Sequence, residues 1–147
     1  MDSYKIIYDD EIELGMMGTF SKRVTRQDVE DFAKVTGDFN PMHMDDGFAN
    51  QTQFHERIAH GMISAGMISA CIGTQMPGPG AIYLGQTLRF NKPVHFDDVL
   101  VVNVEITKID QKKHFKLVTL KTTVTNQDGE VVTDGEAQIM PAQRDKK

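Results

Sequence analysis

Between His60 and Gln75 the chain carries Met62, Ile63, Ala65, Met67, Ile68, Ala70, Cys71 and Ile72, broken only by the small polar residues Ser64, Ser69 and Thr74. At 3.6 residues per turn these apolar side chains fall on every face, so the segment is expected to be a helix buried on all sides. Pro77-Gly78-Pro79-Gly80 stops it. A helix of that kind must be enclosed by something, and the rest of the chain supplies strands. Leu100, Val102, Val104 and Ile106 alternate with Val101, Asn103, Glu105 and Thr107, the period of a strand with one buried face. Val118, Leu120, Thr122 and Val124 repeat the pattern, and Asn126-Gln127-Asp128-Gly129 reads as a turn into a returning strand over 130–140. With a strand over 82–91, four strands follow the helix. An antiparallel sheet wrapped around one long central helix is the economical arrangement, an α+β domain.

Upstream, Gly15–Phe20 reads as a turn into a strand. Thr25 is placed to cap a helix, with Asp28 three residues on as an acidic capping-box partner. Val29, Phe32, Ala33 and Thr36 recur at helical spacing and Gly37 ends the run. A short helix around Phe48–Gln51 is expected to be capped near Asp45 or Asp46.

The chain of 147 residues suits one domain spanning 1–147. Its net charge of −5 argues against a nucleic-acid partner, which would need a basic patch. The lone Cys71 excludes an internal disulfide and sits among core-forming residues. Asp2, Asp9, Asp10, Glu11 and Glu13 near the start leave no apolar signal region, and no stretch is long enough for a membrane span. A reducing, cytoplasmic compartment is the expectation.

The stretch most suggestive of chemistry is Gly37-Asp38-Phe39-Asn40-Pro41-Met42-His43. Proline fixes its own φ and pushes Asn40 out of the α region, so the backbone bends between the acid and the imidazole. Brought together across that bend, the two can polarise one water, the outline of a general acid–base dyad. The competing reading has Asp38 capping the turn and His43 filling the core. Gly61 opens the apolar helix, where backbone N–H groups lack intrahelical partners and lie at the positive end of the dipole. A glycine there lets a carbonyl oxygen come close to the N–H, as an oxyanion site requires.

Taken in order, Gly37-Asp38-x-Asn40-Pro41-x-His43, Phe48-Ala49, Ile58-x-His60-Gly61-Met62 and Gly80-x-Ile82-Tyr83-Leu84-x-Gln86 resemble the MaoC-like (R)-specific enoyl-CoA hydratases and dehydratases. The resemblance runs through about residues 14–140. It implies a hot-dog fold, usually dimeric, that acts on acyl thioesters carried by coenzyme A or an acyl-carrier protein. It also implies addition of water to a trans-2-enoyl thioester, or the reverse, without metal or redox cofactor. Asp38 then becomes the main orienting base, and His43 the second water ligand and proton donor, although the sequence leaves their order open. A serine of the family falls on Ser69, read as a hydrogen-bond partner of Asp38 or of the bound water, in competition with a bond back to its own helix. Arg57, Arg89 and Lys92 are candidates for the carrier's phosphates; Met62 and Met67 read as helix-core fillers, Met42 and Met44 as lining the inner side of the turn, and some of the methionines as walls of an acyl pocket.

His55 and His60 do not make a zinc-protease helix, because five residues place them on different faces; no metal is expected, and His60 reads as a structural residue at the helix start. His95 and His114 are expected to face solvent. A hot-dog thioesterase and a non-catalytic acyl-binding subunit are the alternative functions. An exposed sheet edge, together with the resemblance, points to a homodimer.

Overall fold

The computed structural model describes residues 4–145, so Asp2 lies outside the described residues. In chain order the elements are β1 (Met17–Arg23), α1 (Arg26–Thr36), α2 (Pro41–Met44), α3 (Asp46–Asn50), β2 (Ile58–Ala59) and α4 (Gly61–Thr74). They continue as β3 (Ile82–Gln86), β4 (Arg89–Phe90), β5 (Val94–His95), β6 (Val99–Gln111), β7 (Lys116–Thr125) and β8 (Val131–Met140). The main sheet runs β1-β6-β7-β8-β3, antiparallel throughout, with β4 also on β8. β2 and β5 form a separate pair. The sheet curls around α4 in the hot-dog arrangement, and Leu100, Val102, Val104, Ile106, Val118, Leu120 and Ile139 pack into the core that α4 completes with Met67, Ile68, Cys71 and Ile72.

Local chemistry sets the boundaries that place the site. The Thr25 hydroxyl accepts the Asp28 N–H at 3.1 Å and the Asp28 carboxylate accepts the Thr25 N–H at 2.9 Å, a closed capping box. At the other end Gly37 adopts φ 82° and its N–H donates to Ala33 O at 2.8 Å. A left-handed residue is cheap only for glycine, and it turns the chain out of α1 directly into Asp38. The Asn40 side chain then accepts the Met42 N–H at 3.0 Å with Pro41 at the first helical position, so the expected bend is itself one turn of helix, α2. Asp45 caps α3 through the Phe48 N–H at 2.9 Å.

Two expectations are corrected. The segment 82–91 is not one strand: the register shifts between Tyr83 and Gly85, and β3 ends before Thr87. There the chain crosses so close to Gly135 of β8 that a Cβ on Gly135 would stand 1.8 Å from the Thr87 carbonyl oxygen. α4 is not buried all round either. The sheet covers only the side carrying Ser64, Met67, Ile68, Cys71 and Ile72, and it leaves Met62 half-exposed and Gly66 and Ser69 exposed.

Candidate active site

The turn after α1 and the start of α4 meet at one place. One ligand-type atom from each of Asp38, His43 and His60 lies within 4.8 Å of the others, with Asp38 exposed, His43 half-buried and His60 buried. The bend around Asn40-Pro41 therefore does bring the acid and the imidazole together.

The segment Arg57–His60, which contains β2, holds this turn at three points. His43 Nδ1 lies 2.7 Å from the Ile58 carbonyl oxygen. A carbonyl only accepts, so Nδ1 carries the proton and the neutral ring keeps its lone pair on Nε2. Arg57 Nε–H donates to the His43 carbonyl at 2.6 Å. His60 Nε2–H donates to the Asp38 carbonyl at 2.9 Å, which fixes the second tautomer by the same argument. Burial lowers the His43 pKa below that of an ordinary imidazole; the Ile58 hydrogen bond and the Asp38 charge pull it up again without cancelling the shift. In neutral solution His43 is thus a free base with an available acceptor nitrogen.

Gly61 begins α4 beside this cluster, and its glycine identity has a packing reason. A Cβ there would lie 2.9 Å from Cδ1 of Phe90, whose ring occupies that space. The first turn is braced from below: the buried Ser64 hydroxyl donates to Gly61 O at 2.6 Å and pairs with the Thr133 hydroxyl at 2.8 Å. A cleft of about 490 Å³ runs past the helix start, walled by Phe54, Ile58, Gly61, Met62, Phe90 and Val94.

Ser69 is exposed on α4, and among the described residues it makes no hydrogen bond to Asp38. The serine that supports the helix start is Ser64, hidden in the sequence as one more small residue in an apolar run. Arg57 is also corrected: it is 6% exposed, bonded to His43 and stacked over Phe96 at 5.1 Å, so it is spent on the fold rather than offered to phosphate. Lys92 is ion-paired with Glu130 on the surface, and Arg89 is exposed on β4.

His114 is exposed as expected, whereas His95 is partly buried with Nδ1 2.7 Å from Glu56 Oε1. His55 is exposed with φ 59° and stands outside the cluster. The grouping of Asp38, His43 and His60 has the composition of a metal triad, and its two imidazoles stack at 4.1 Å between centroids with 34° between their planes. Cys71 is buried, which pushes its thiol pKa up to about 11 and makes it a core residue instead of a nucleophile.

Residues 14–128 match the family described as MaoC like domain. The chain is 42% identical over 139 residues to the (R)-specific enoyl-CoA hydratase of Rhodospirillum rubrum, covering 95% of this chain and 94% of that protein. It is 40% identical over 135 residues to the 3-hydroxybutyryl-CoA dehydratase of Methylorubrum extorquens, covering 92% and 84%. Among solved structures, the unliganded R-hydratase from Pseudomonas aeruginosa superposes with a TM-score of 0.87 at 46% identity, over 95% of this chain and 88% of that one. A turn that pairs an acid with an imidazole, set against a helix start inside a hot-dog sheet, thus comes with sequence likeness along nearly the whole chain, and the protein belongs to the MaoC-like domain family.

Proposed function

We propose that this protein is an (R)-specific enoyl-CoA hydratase, interconverting trans-2-enoyl and (R)-3-hydroxyacyl thioesters with the Asp38–His43 pair. The observation that carries the reading is the fixed tautomer of His43: with Nδ1–H committed to Ile58 O, its Nε2 is left as an acceptor beside the Asp38 carboxylate. A water held between two acceptors points both O–H bonds at the dyad and its lone pair at the substrate. As the oxygen attacks C3, one proton passes to His43 Nε2 and the negative charge moves to the thioester oxygen. The imidazolium, beside a carboxylate, then returns that proton to C2. His43 serves as proton donor only after it has accepted. The Gly61 N–H at the start of α4 is the proposed donor to the thioester oxygen.

The cleft along Phe54, Met62, Phe90 and Val94 is proposed to take the acyl chain, with Lys92 on its wall and Arg89 exposed on β4 as the proposed contacts for a carrier's phosphates. Catalysis needs no metal or redox cofactor in this scheme. The protein acts as a single domain in the cytoplasm, where its one cysteine stays a thiol, and as a homodimer. The dimer is supported by β3, an edge strand with half-exposed Ile82 and Leu84, and by the uncovered apolar face of α4. The enzyme reading is tested by following the ultraviolet absorbance of an enoyl thioester. Loss of absorbance without free thiol is the expected result. Free thiol would mean a thioesterase, and no change would mean a binding protein only.

A further inference from the structure

His60 has no assigned part in the chemistry, yet its surroundings are unusual. It is 2% exposed, with its ring wedged between Phe32 at 4.7 Å and His43 at 4.1 Å between centroids. Nε2–H donates to the Asp38 carbonyl at 2.9 Å, while Nδ1 is buried without a hydrogen-bond partner among the described residues. His60 is also the N-cap of α4, but its side chain caps nothing. A phenylalanine would fill this space against Phe32 and cap the helix no worse. It would also avoid the desolvation cost of a bare buried nitrogen. Packing therefore does not explain a histidine here. The bond to Asp38 does.

We propose that His60 is a positioning residue that sets the Asp38 carboxylate by gripping its backbone, an inference resting on the Asp38–His43 reading above. Asp38 has few other restraints. It follows the left-handed Gly37, its N–H donates to Thr36 Oγ1 at 3.2 Å, and its carboxylate accepts only the Asn40 N–H, at 3.2 Å, among the described residues. An exposed acid on such a turn swings with its backbone. His60 adds a third restraint, from the rigid start of α4. The arrangement mirrors the other half of the dyad, where Arg57 holds the His43 carbonyl. The bond also assigns a proton to His60 Nε2, because the Asp38 carbonyl can only accept. The bare Nδ1 is what remains when the ring is oriented for Asp38.

The test compares His60→Phe, which keeps the aromatic packing and removes the donor, with His60→Gln, whose amide can donate from about the same place. Since misplacing a catalytic group by about 1 Å can cost 10²-fold, folded His60→Phe is expected to lose about 10- to 100-fold in kcat with KM little changed. His60→Gln is expected to recover most of that loss. Nitrogen-15 spectra of the wild-type histidines should show His60 protonated on Nε2 and bare on Nδ1. Unchanged kcat in folded His60→Phe, a loss confined to KM, or a folded His60→Gln no better than His60→Phe would overturn the proposal. If neither variant folds, the spectra decide: a proton on Nδ1 overturns the proposal and the Nε2–H form supports it. A wild-type protein without hydratase activity would sink the functional reading instead, and the His60 tautomer would still report whether the grip on Asp38 exists.

Discussion

Asp38 and His43 are joined by a short bend, but what makes them a pair is how each is held. Backbone carbonyls and the segment Arg57–His60 fix both, and among the described residues the His43 ring is left with one unused nitrogen. Removing either member should therefore leave the fold intact and the chemistry crippled. Asp38→Asn and His43→Gln are each expected to lower kcat by about 10²–10⁴, the usual contribution of an acid–base group. The double variant should fall far short of the product of the two losses, because both residues act on one water. Steady-state kinetics on folded variants check this; near-normal turnover in either single variant would contradict it. The lowered pKa of His43 carries a pH prediction with a definite sign. His43 acts only when neutral, and a group is neutral above its pKa, so lowering that pKa extends activity toward acid. The acid limb of kcat/KM assigned to His43 should thus lie below the ordinary imidazole value, and His43→Gln should abolish that limb.

At the scale of elements, the parts written in local chemistry were the legible ones. The Thr25–Asp28 box and the Gly37 terminator could be read directly, and the α3 cap narrowed to Asp45 or Asp46, because each depends on neighbours in the chain. So could the alternation of β6 and β7, whose inward residues are all buried. The proximity of Asp38 and His43 was legible for the same reason, five residues apart around a proline. What could not be read were contacts made across the fold. The break between β3 and β4 comes from a backbone crossing over Gly135, and the role of Ser64 depends on Thr133 in a distant strand. Two element-level outcomes follow. Thr25→Ala should cost about 1 kcal/mol of stability by opening the capping box, measured by chemical denaturation. Gly61→Val must push Phe90 aside and crowd the helix start. If Gly61 is the oxyanion donor, kcat should fall by about 10²–10³, and a crystal with a product analogue should place the thioester oxygen within hydrogen-bond reach of its N–H. A thioester oxygen bound elsewhere would remove Gly61 from the mechanism.

For the molecule as a whole, one chain leaves an apolar edge and an apolar helix face uncovered, although the dyad is already assembled. Ile82 and Leu84 on β3, with Met62 on α4, are the residues a second copy would cover. An interface of obligate size, more than about 2,000 Å² in total, would make activity and stability fall together on dilution. Leu84→Lys should separate the protomers, as sedimentation would show, whereas a stable and fully active monomer would reject the dimer. Among the described residues no helix is long and apolar enough to cross a membrane. In the proposed mechanism Asp38 and His43 deliver one water to one face of an enoyl thioester. Chiral chromatography of the product formed from a four-carbon trans-2-enoyl-CoA reads out which face is hydrated. Wild-type protein should yield the (R)-3-hydroxyacyl thioester alone and Asp38→Asn almost none; a racemic or (S) product, or equal yield from the variant, would contradict the account.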